Sequence, residues 1–161
     1  MTFEEIISNL KEKFGEEIVH SINEHATPKC IELKGEDIVR CMEHLHITDG
    51  LYFDSLSCIT GLDNGAEAQS MEVIYNLYSI PCDHHLMVKV SLNREKPTID
   101  SLTNLWKTAD WQEREVYDLY GIHFNNHPDL RRILLPDDWE GHPLKKDYEH
   151  QQYYRGVKVE Y

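Results

Sequence analysis

The chain has 161 residues, 40% of them hydrophobic, enough to bury one core and too few for two comfortable ones. Acidic residues outnumber Lys and Arg by 29 to 16, and a formal net charge of -13 argues against charge-driven binding to nucleic acid or an anionic lipid surface. No run approaches the roughly 20 consecutive apolar residues of a membrane span, and the N-terminus MTFEEIISNLKEKF is acidic and amphipathic where a signal or transit peptide is basic. The expectation is a soluble protein that meets a membrane only through partners.

Cys30, Cys41, Cys58 and Cys82 stand far apart, with none of the short spacings that hold zinc or an iron–sulfur cluster. They are expected to be reduced thiols in a cytoplasm-like compartment, with Cys58 and Cys82 slow to react because each adjoins an apolar β-run.

Thr2 followed by Glu5 has the form of a capping box, and Phe3, Ile6, Ile7, Leu10 and Phe14 recur at helical spacing until Gly15. Two strands follow: one alternating within Glu17 to Glu24, the other through Cys30, Ile31 and Leu33, folded as a hairpin across Thr27-Pro28. From Gly35 to Leu45 the apolar residues Ile38, Met42 and Leu45 share one face, predicting a second helix closed by Thr48-Asp49-Gly50. Three β-rich runs come next, Leu51 to Thr60, Met71 to Ser79 and Leu86 to Leu92, the last alternating cleanly. Asp100 is placed to cap a short helix through Trp106, and Asp110 with Glu113 three positions on is placed to start another from Trp111 to Tyr120, ended by Gly121. The order αββαβββαα predicts an α+β two-layer sandwich on a largely antiparallel sheet, a domain of residues 1–121.

Residues 122–161 contain Pro128, Pro136 and Pro143 and no sustained period of two or of 3.6, yet carry Ile133, Leu134, Leu135, Trp139 and Leu144. A solvated tail does not expose such side chains. The segment therefore reads either as a strap over its own domain or, as favoured here, as an extended arm that packs on another protein and adds little to the domain's stability. From Asp129 onward seven acids meet six bases, so nearly all the net negative charge lies upstream.

Between Trp111 and Tyr148 the chain reads WQEREVYDLYGIHFNNHPDLRRILLPDDWEGHPLKKDY. This resembles the signature of the C-type subunit of the proton-pumping NADH:quinone oxidoreductase, respiratory complex I, the family named after its thirty-kilodalton mitochondrial member. The matching positions include Glu113, Arg114, Glu115, Asp118, Leu119, Tyr120 and Gly121, then Phe124, His127, Pro128, Arg132, Ile133, Leu134, Trp139, Gly141, Pro143, Leu144, Lys146, Asp147 and Tyr148. Lys145 departs from the Arg common there, and a Lys cannot make the two-pronged bond of an Arg to a carboxylate. Glu149 departs from a common Pro.

The resemblance implies a structural and assembly subunit of the peripheral arm of complex I, on the cytoplasmic face of a bacterial membrane or the matrix side of a mitochondrial one, and the acidic N-terminus, unlike a transit peptide, makes the bacterial inner membrane the expectation. It implies no redox centre on this chain, the flavin and iron–sulfur clusters lying on other subunits. The main partner it implies is the D-type subunit, which bears the quinone site, with the B-type subunit nearby. Arg131 and Arg132 are expected to join the signature residues as donors to that partner. An equivalent subunit of a related membrane-bound hydrogenase, or of a dehydrogenase of the coenzyme F420 type, is the alternative.

The residues themselves speak against an active site. Glu113 and Glu115 are two apart on a helix, so their carboxylates diverge by ~200°; Arg114 is spaced to meet Asp118 at i+4. His123 and His127 lie past the helix end and lack the glutamate of a zinc-binding H-E-x-x-H, while His44/His46 and His84/His85 have spacings that separate their side chains. Gly61 to Gly65 is followed by no helix with Lys and Ser/Thr for a phosphate.

Overall fold

In the computed structural model, which describes residues 1–159, helix α1 (Phe3–Phe14) begins with the expected reciprocal cap. The Glu5 N–H donates to Thr2 Oγ1 at 3.2 Å, and the Thr2 N–H donates to Glu5 Oε2 at 2.7 Å. Ile6, Ile7 and Leu10 turn inward, and Gly15 ends the helix at a φ of 101°, a conformation that side-chain-bearing residues rarely adopt. A 3-10 turn, Glu16–Ile18, takes the first part of the predicted strand, so only β1 (Ser21–Asn23) pairs antiparallel with β2 (Cys30–Leu33).

Helix α2 (Ile38–Ile47) buries Ile38, Cys41, Met42 and Leu45. It is followed by an antiparallel meander of β3 (Ser55–Asp63), β4 (Ser70–Ser79) and β5 (His84–Asn93). Alternation sets the core face: Met71, Val73, Tyr75 and Leu77 from β4 meet Leu86, Val88, Val90 and Leu92 from β5. The sheet order is β1-β2-β5-β4-β3, with β2 parallel to β5. The sheet is thus mixed, because β2 runs in the same direction as β5 whereas every other pair in it is antiparallel.

The sequence predicts a helix from Asp100 to Trp106; a strand and a turn stand there instead. Strand β6 (Thr98–Asp100) pairs parallel with β7 (His123–Asn125), and Leu105 and Trp106 both donate their N–H to the Leu102 carbonyl. Ile99 and Leu102 need burial, and the β7 backbone offers partners that a free helix start lacks. Helix α3 (Ala109–Tyr120) starts at Ala109, two residues before Trp111, and has no side-chain cap from Thr108, so Asp110 and Glu113 do not cap it.

Ile122 and Phe124, placed by sequence in the C-terminal segment, are buried in the core at 0% and 1% exposure. A small hairpin of β8 (Tyr153–Tyr154) and β9 (Val157–Lys158) completes the described chain, and the end of the predicted arm, residues 160 and 161, lies outside the described residues.

Candidate functional site

The signature residues converge where the C-terminal segment crosses α3 and the end of β3, and carboxylates organise the crossing. Asp118 sits in the last turn of α3, where the helix carbonyls already gather negative charge and no basic residue stands in that turn. It is fully buried. Its Oδ2 accepts the consecutive N–H groups of Ile133, Leu134 and Leu135 at 3.0, 2.8 and 2.9 Å, while Oδ1 accepts Arg132 Nη1 at 2.7 Å. Burial alone would raise its pKa; the Leu135 N–H, Arg132 and the other two amides outweigh it, and the acid lies below its ordinary value.

Arg132 does more than pair with Asp118. Its Nη2 donates to the Trp139 and Gly141 carbonyls at 2.9 Å each, drawing the chain into a loop. Arg114 donates to the Arg131 and Arg132 carbonyls at 3.1 and 2.9 Å, so it does not reach Asp118 at i+4 as its spacing suggests. His142 bonds the Asp118 carbonyl through Nδ1 at 2.8 Å. Its ring lies where a Cβ on Gly121 would stand at 2.6 Å, and with a φ of 75° that position requires glycine twice over. Gly141 is likewise at positive φ, 2.9 Å from the Tyr148 ring if a Cβ were added, and Tyr148 accepts Trp139 Nε1–H at 3.1 Å.

A second buried carboxylate, Asp63 at the end of β3, holds the next part of the segment. Arg94 grips it with both prongs, Nε at 2.7 Å and Nη2 at 2.9 Å, and the Lys146 and Gly65 N–H groups add bonds of 2.8 and 2.9 Å. The same Arg94 Nη2 reaches Asp147 at 2.6 Å. The Arg94 bonds hold Asp63 well below the usual carboxylate range. Further out, Asp138 accepts Tyr154 Oη–H at 2.6 Å and Arg155 at 2.9 and 2.7 Å, pinning the terminal hairpin.

Glu113 is different in kind. It is fully buried, one oxygen accepts the Leu102 N–H at 2.8 Å, and the other has no hydrogen-bond partner among the described residues. Burial raises its pKa to about 7, against the hydrogen bonds from Ser101 and Leu102 and helped by the nearby Asp110 charge. His127 has its side chain fully buried with Nε2 4.0 Å from that free oxygen. The Asp129 N–H donates to Nδ1 at 3.0 Å, which leaves the proton on Nε2 to bond the Asp110 carbonyl at 3.0 Å.

Of the predicted site residues, Glu113, Arg114, Asp118, Gly121, His127, Arg132, Trp139, Gly141, Lys146, Asp147 and Tyr148 thus meet within this crossing. Arg131 is two-thirds exposed and pairs with Asp129 at 2.8 Å. Glu115 faces solvent on the opposite side of α3 from Glu113, and Pro128 and Pro143 lie in the turns that lead the segment around. Asp63, Arg94 and His142 escape sequence reasoning: Arg94 is 31 residues from Asp63, and no spacing rule relates them. Among the described residues no group of three His, Cys, Asp or Glu is placed to hold a metal, and no helix is long and apolar enough to cross a membrane. His123 is exposed and does not converge with His127.

Fold and crossing define an α+β protein whose C-terminal segment is clasped to its own domain through buried carboxylates. Residues 31–154 match the family described as Respiratory-chain NADH dehydrogenase, 30 Kd subunit, and the chain belongs to that family. It is 42% identical over 154 residues to the C-type subunit of the NADH-quinone oxidoreductase of Chloroherpeton thalassium, an alignment covering 94% of this chain and 63% of that one. It is 41% identical over 142 residues to the corresponding subunit of Geotalea uraniireducens, covering 88% and 85%. The chain therefore spans less than two thirds of the first relative and most of the second. Among solved structures, the trypsin-resistant fragment (1-134) of Nqo5 superposes with a TM-score of 0.66 at 29% identity, over 81% of this chain and all of that one. A chain of the membrane-bound sulfane sulfur reductase, an archaeal respiratory membrane complex, gives a TM-score of 0.75 at 20% identity over 91% and 85%, a likeness of fold alone.

Proposed function

We propose that this chain is a structural and assembly subunit of the peripheral arm of a proton-translocating NADH:quinone oxidoreductase. In this reading it supplies no redox centre and docks chiefly on the quinone-site subunit, the D-type, with the B-type nearby, at the cytoplasmic face of the bacterial inner membrane. The family match over residues 31–154 is the observation that carries the reading. The geometry supports it: the signature side chains are spent on shaping the C-terminal segment, so the segment presents a fixed surface rather than a reacting centre.

In this reading residues 122–161 form the docking element, and the part of it that Asp118 and Asp63 hold is preorganised, so that little ordering entropy there remains to oppose association. Arg131 stands at the surface of that element, whereas Arg132 acts from inside. Co-expression with the quinone-site and B-type subunits, followed by capture through a tag on the quinone-site subunit, tests the proposal. Stoichiometric recovery of this chain is expected, and its absence contradicts the assignment.

A second reading, which rests on the sequence resemblance, is the equivalent subunit of a related membrane-bound hydrogenase or F420-type dehydrogenase complex; the sulfane sulfur reductase chain shares the fold and does not decide between them. Assaying the purified complex with NADH, hydrogen and reduced F420 separates the two by the donor it oxidises.

A further inference from the structure

Trp111, Glu115 and Leu119 follow one another at four-residue spacing on α3, advancing only about 40° per step around the axis, and so form one stripe. The stripe faces outward. Trp111 is 71% exposed, unusual for the residue type with the largest apolar surface to bury, and Leu144 beside the stripe is 48% exposed. Leu119, Leu144, Glu115, Val116 and Tyr120 wall a hollow of about 220 Å³ whose other side is Cys58, Ile59, Thr60 and Gly61.

Four consecutive residues of a strand border one hollow only along its edge, and β3 is the outermost strand of its sheet. That edge is already capped at one end, where the Ile59 N–H donates to Gln112 Oε1 at 2.6 Å and Thr108 Oγ1–H donates to the Leu56 carbonyl at 3.2 Å. At the other end the Asp63 side chain takes the Lys146 N–H through Oδ2, which brings the C-terminal segment across the strand end. These bonds leave only a short stretch of the edge for an added strand, and the volume falls below the ~300–1,000 Å³ of small-molecule sites. It has the size for one side chain from outside.

Glu115 marks the chemistry of what carries that side chain. Glu113, Arg114, Asp118, Arg132 and Asp147 are all bonded within the chain, whereas Glu115 has no hydrogen-bond or ion-pair partner among the described residues. In a protein of net charge -13, a free carboxylate at the rim of an apolar hollow calls for a base from outside. Lys107 borders the surface beside Trp111 and would repel such a base there, which leaves Glu115 as its place along the stripe.

We propose that the outer stripe of α3 is a docking face for a neighbouring subunit, which seats an apolar side chain in the hollow between Leu119 and Leu144 and sets an Arg or Lys against Glu115. This rests on the reading of the chain as one member of a larger complex. The test uses full-length wild type and the variants Trp111→Ala, Glu115→Arg and Glu115→Gln, each co-expressed with the quinone-site and B-type subunits and captured through the former, with the melting temperature of each chain measured alone. All positions are at the surface, so unchanged melts are expected. Capture of Trp111→Ala and Glu115→Arg is expected to fall about tenfold or more, as for an interface anchor, and Glu115→Gln to lose part of the salt dependence of assembly. Variants captured as well as wild type overturn the docking face and leave the complex-member reading intact, while failure to capture wild type overturns both. A concentration-dependent dimer of isolated wild type that Trp111→Ala abolishes assigns the stripe to a second copy of this chain and also overturns the proposal.

Discussion

Asp118 and Asp63 each accept four hydrogen bonds in the crossing, and Asp118 is the one that ties the segment to α3. One buried carboxylate closes three consecutive amides and an arginine, and removing it leaves Arg132 and three N–H groups without their acceptor. Asp118→Ala is expected to cost about 3–5 kcal/mol, the range for breaking a buried charge pair, read as a fall in denaturant midpoint. Because its pKa lies below the unfolded value, the stability it contributes is present above pH ~4 and is lost as pH falls further. Glu113 has the opposite sign. With a folded pKa raised to about 7, it keeps a proton that the unfolded chain releases near pH ~4.3, so its effect on stability declines as pH rises between those values and levels off above. Glu113→Gln is expected to remove this slope, so that wild type loses stability relative to the variant from pH ~5 to ~7.5; parallel curves contradict the assignment. The thiols follow burial as well. Cys30 and Cys41 are buried, and burial pushes Cys41 up to about 12, whereas Cys58 is exposed and Cys82 half-buried. The sequence-based choice of Cys58 and Cys82 as slow is thus reversed. Titration of folded protein is expected to find Cys58 and Cys82 fast and the other two released only by denaturant.

At the scale of elements, the C-terminal segment does not hang free of the domain. Asp118, Asp63, Arg94 and Arg114 all hold it, and Ile122 and Phe124 at its root are core residues. Truncation after Phe124 is therefore expected to lower the melting temperature by more than ~5 °C, since it strands two buried carboxylates, in contrast to the sequence-based expectation of a near-unchanged melt. An unchanged melt shows that the anchors add nothing. Legibility in the sequence follows a simple division. α1 announces itself through Thr2 and Glu5, and β5 through Leu86, Val88, Val90 and Leu92, because capping and alternation are local. The β6–β7 pair is not legible, since three-residue strands have no period to show, and Asp100 ahead of a polar-apolar run looks like a helix cap. Glu113 resembles an N3 capping residue for the same reason; its true donor, the Leu102 N–H, lies 11 residues back on a different element. The motif discloses which residues matter around the crossing, but only the fold shows that most of them act on one another.

At the scale of the molecule, the charge is arranged around this internal clasp. Arg94, Arg132 and Arg155 are consumed by Asp63, Asp118 and Asp138, and the outer stripe of α3 is left apolar with the single unpaired charge of Glu115. Such a surface suits permanent assembly, where apolar contacts supply affinity and a few charges set register. The proposed function, a docked member of a larger complex, is consistent with this arrangement. Co-expression with the quinone-site and B-type subunits and capture through the quinone-site subunit tests this most directly. Recovery of this chain in one-to-one ratio with the quinone-site subunit, surviving size-exclusion chromatography, is the expected result; a chain that elutes alone while the other two still associate contradicts it.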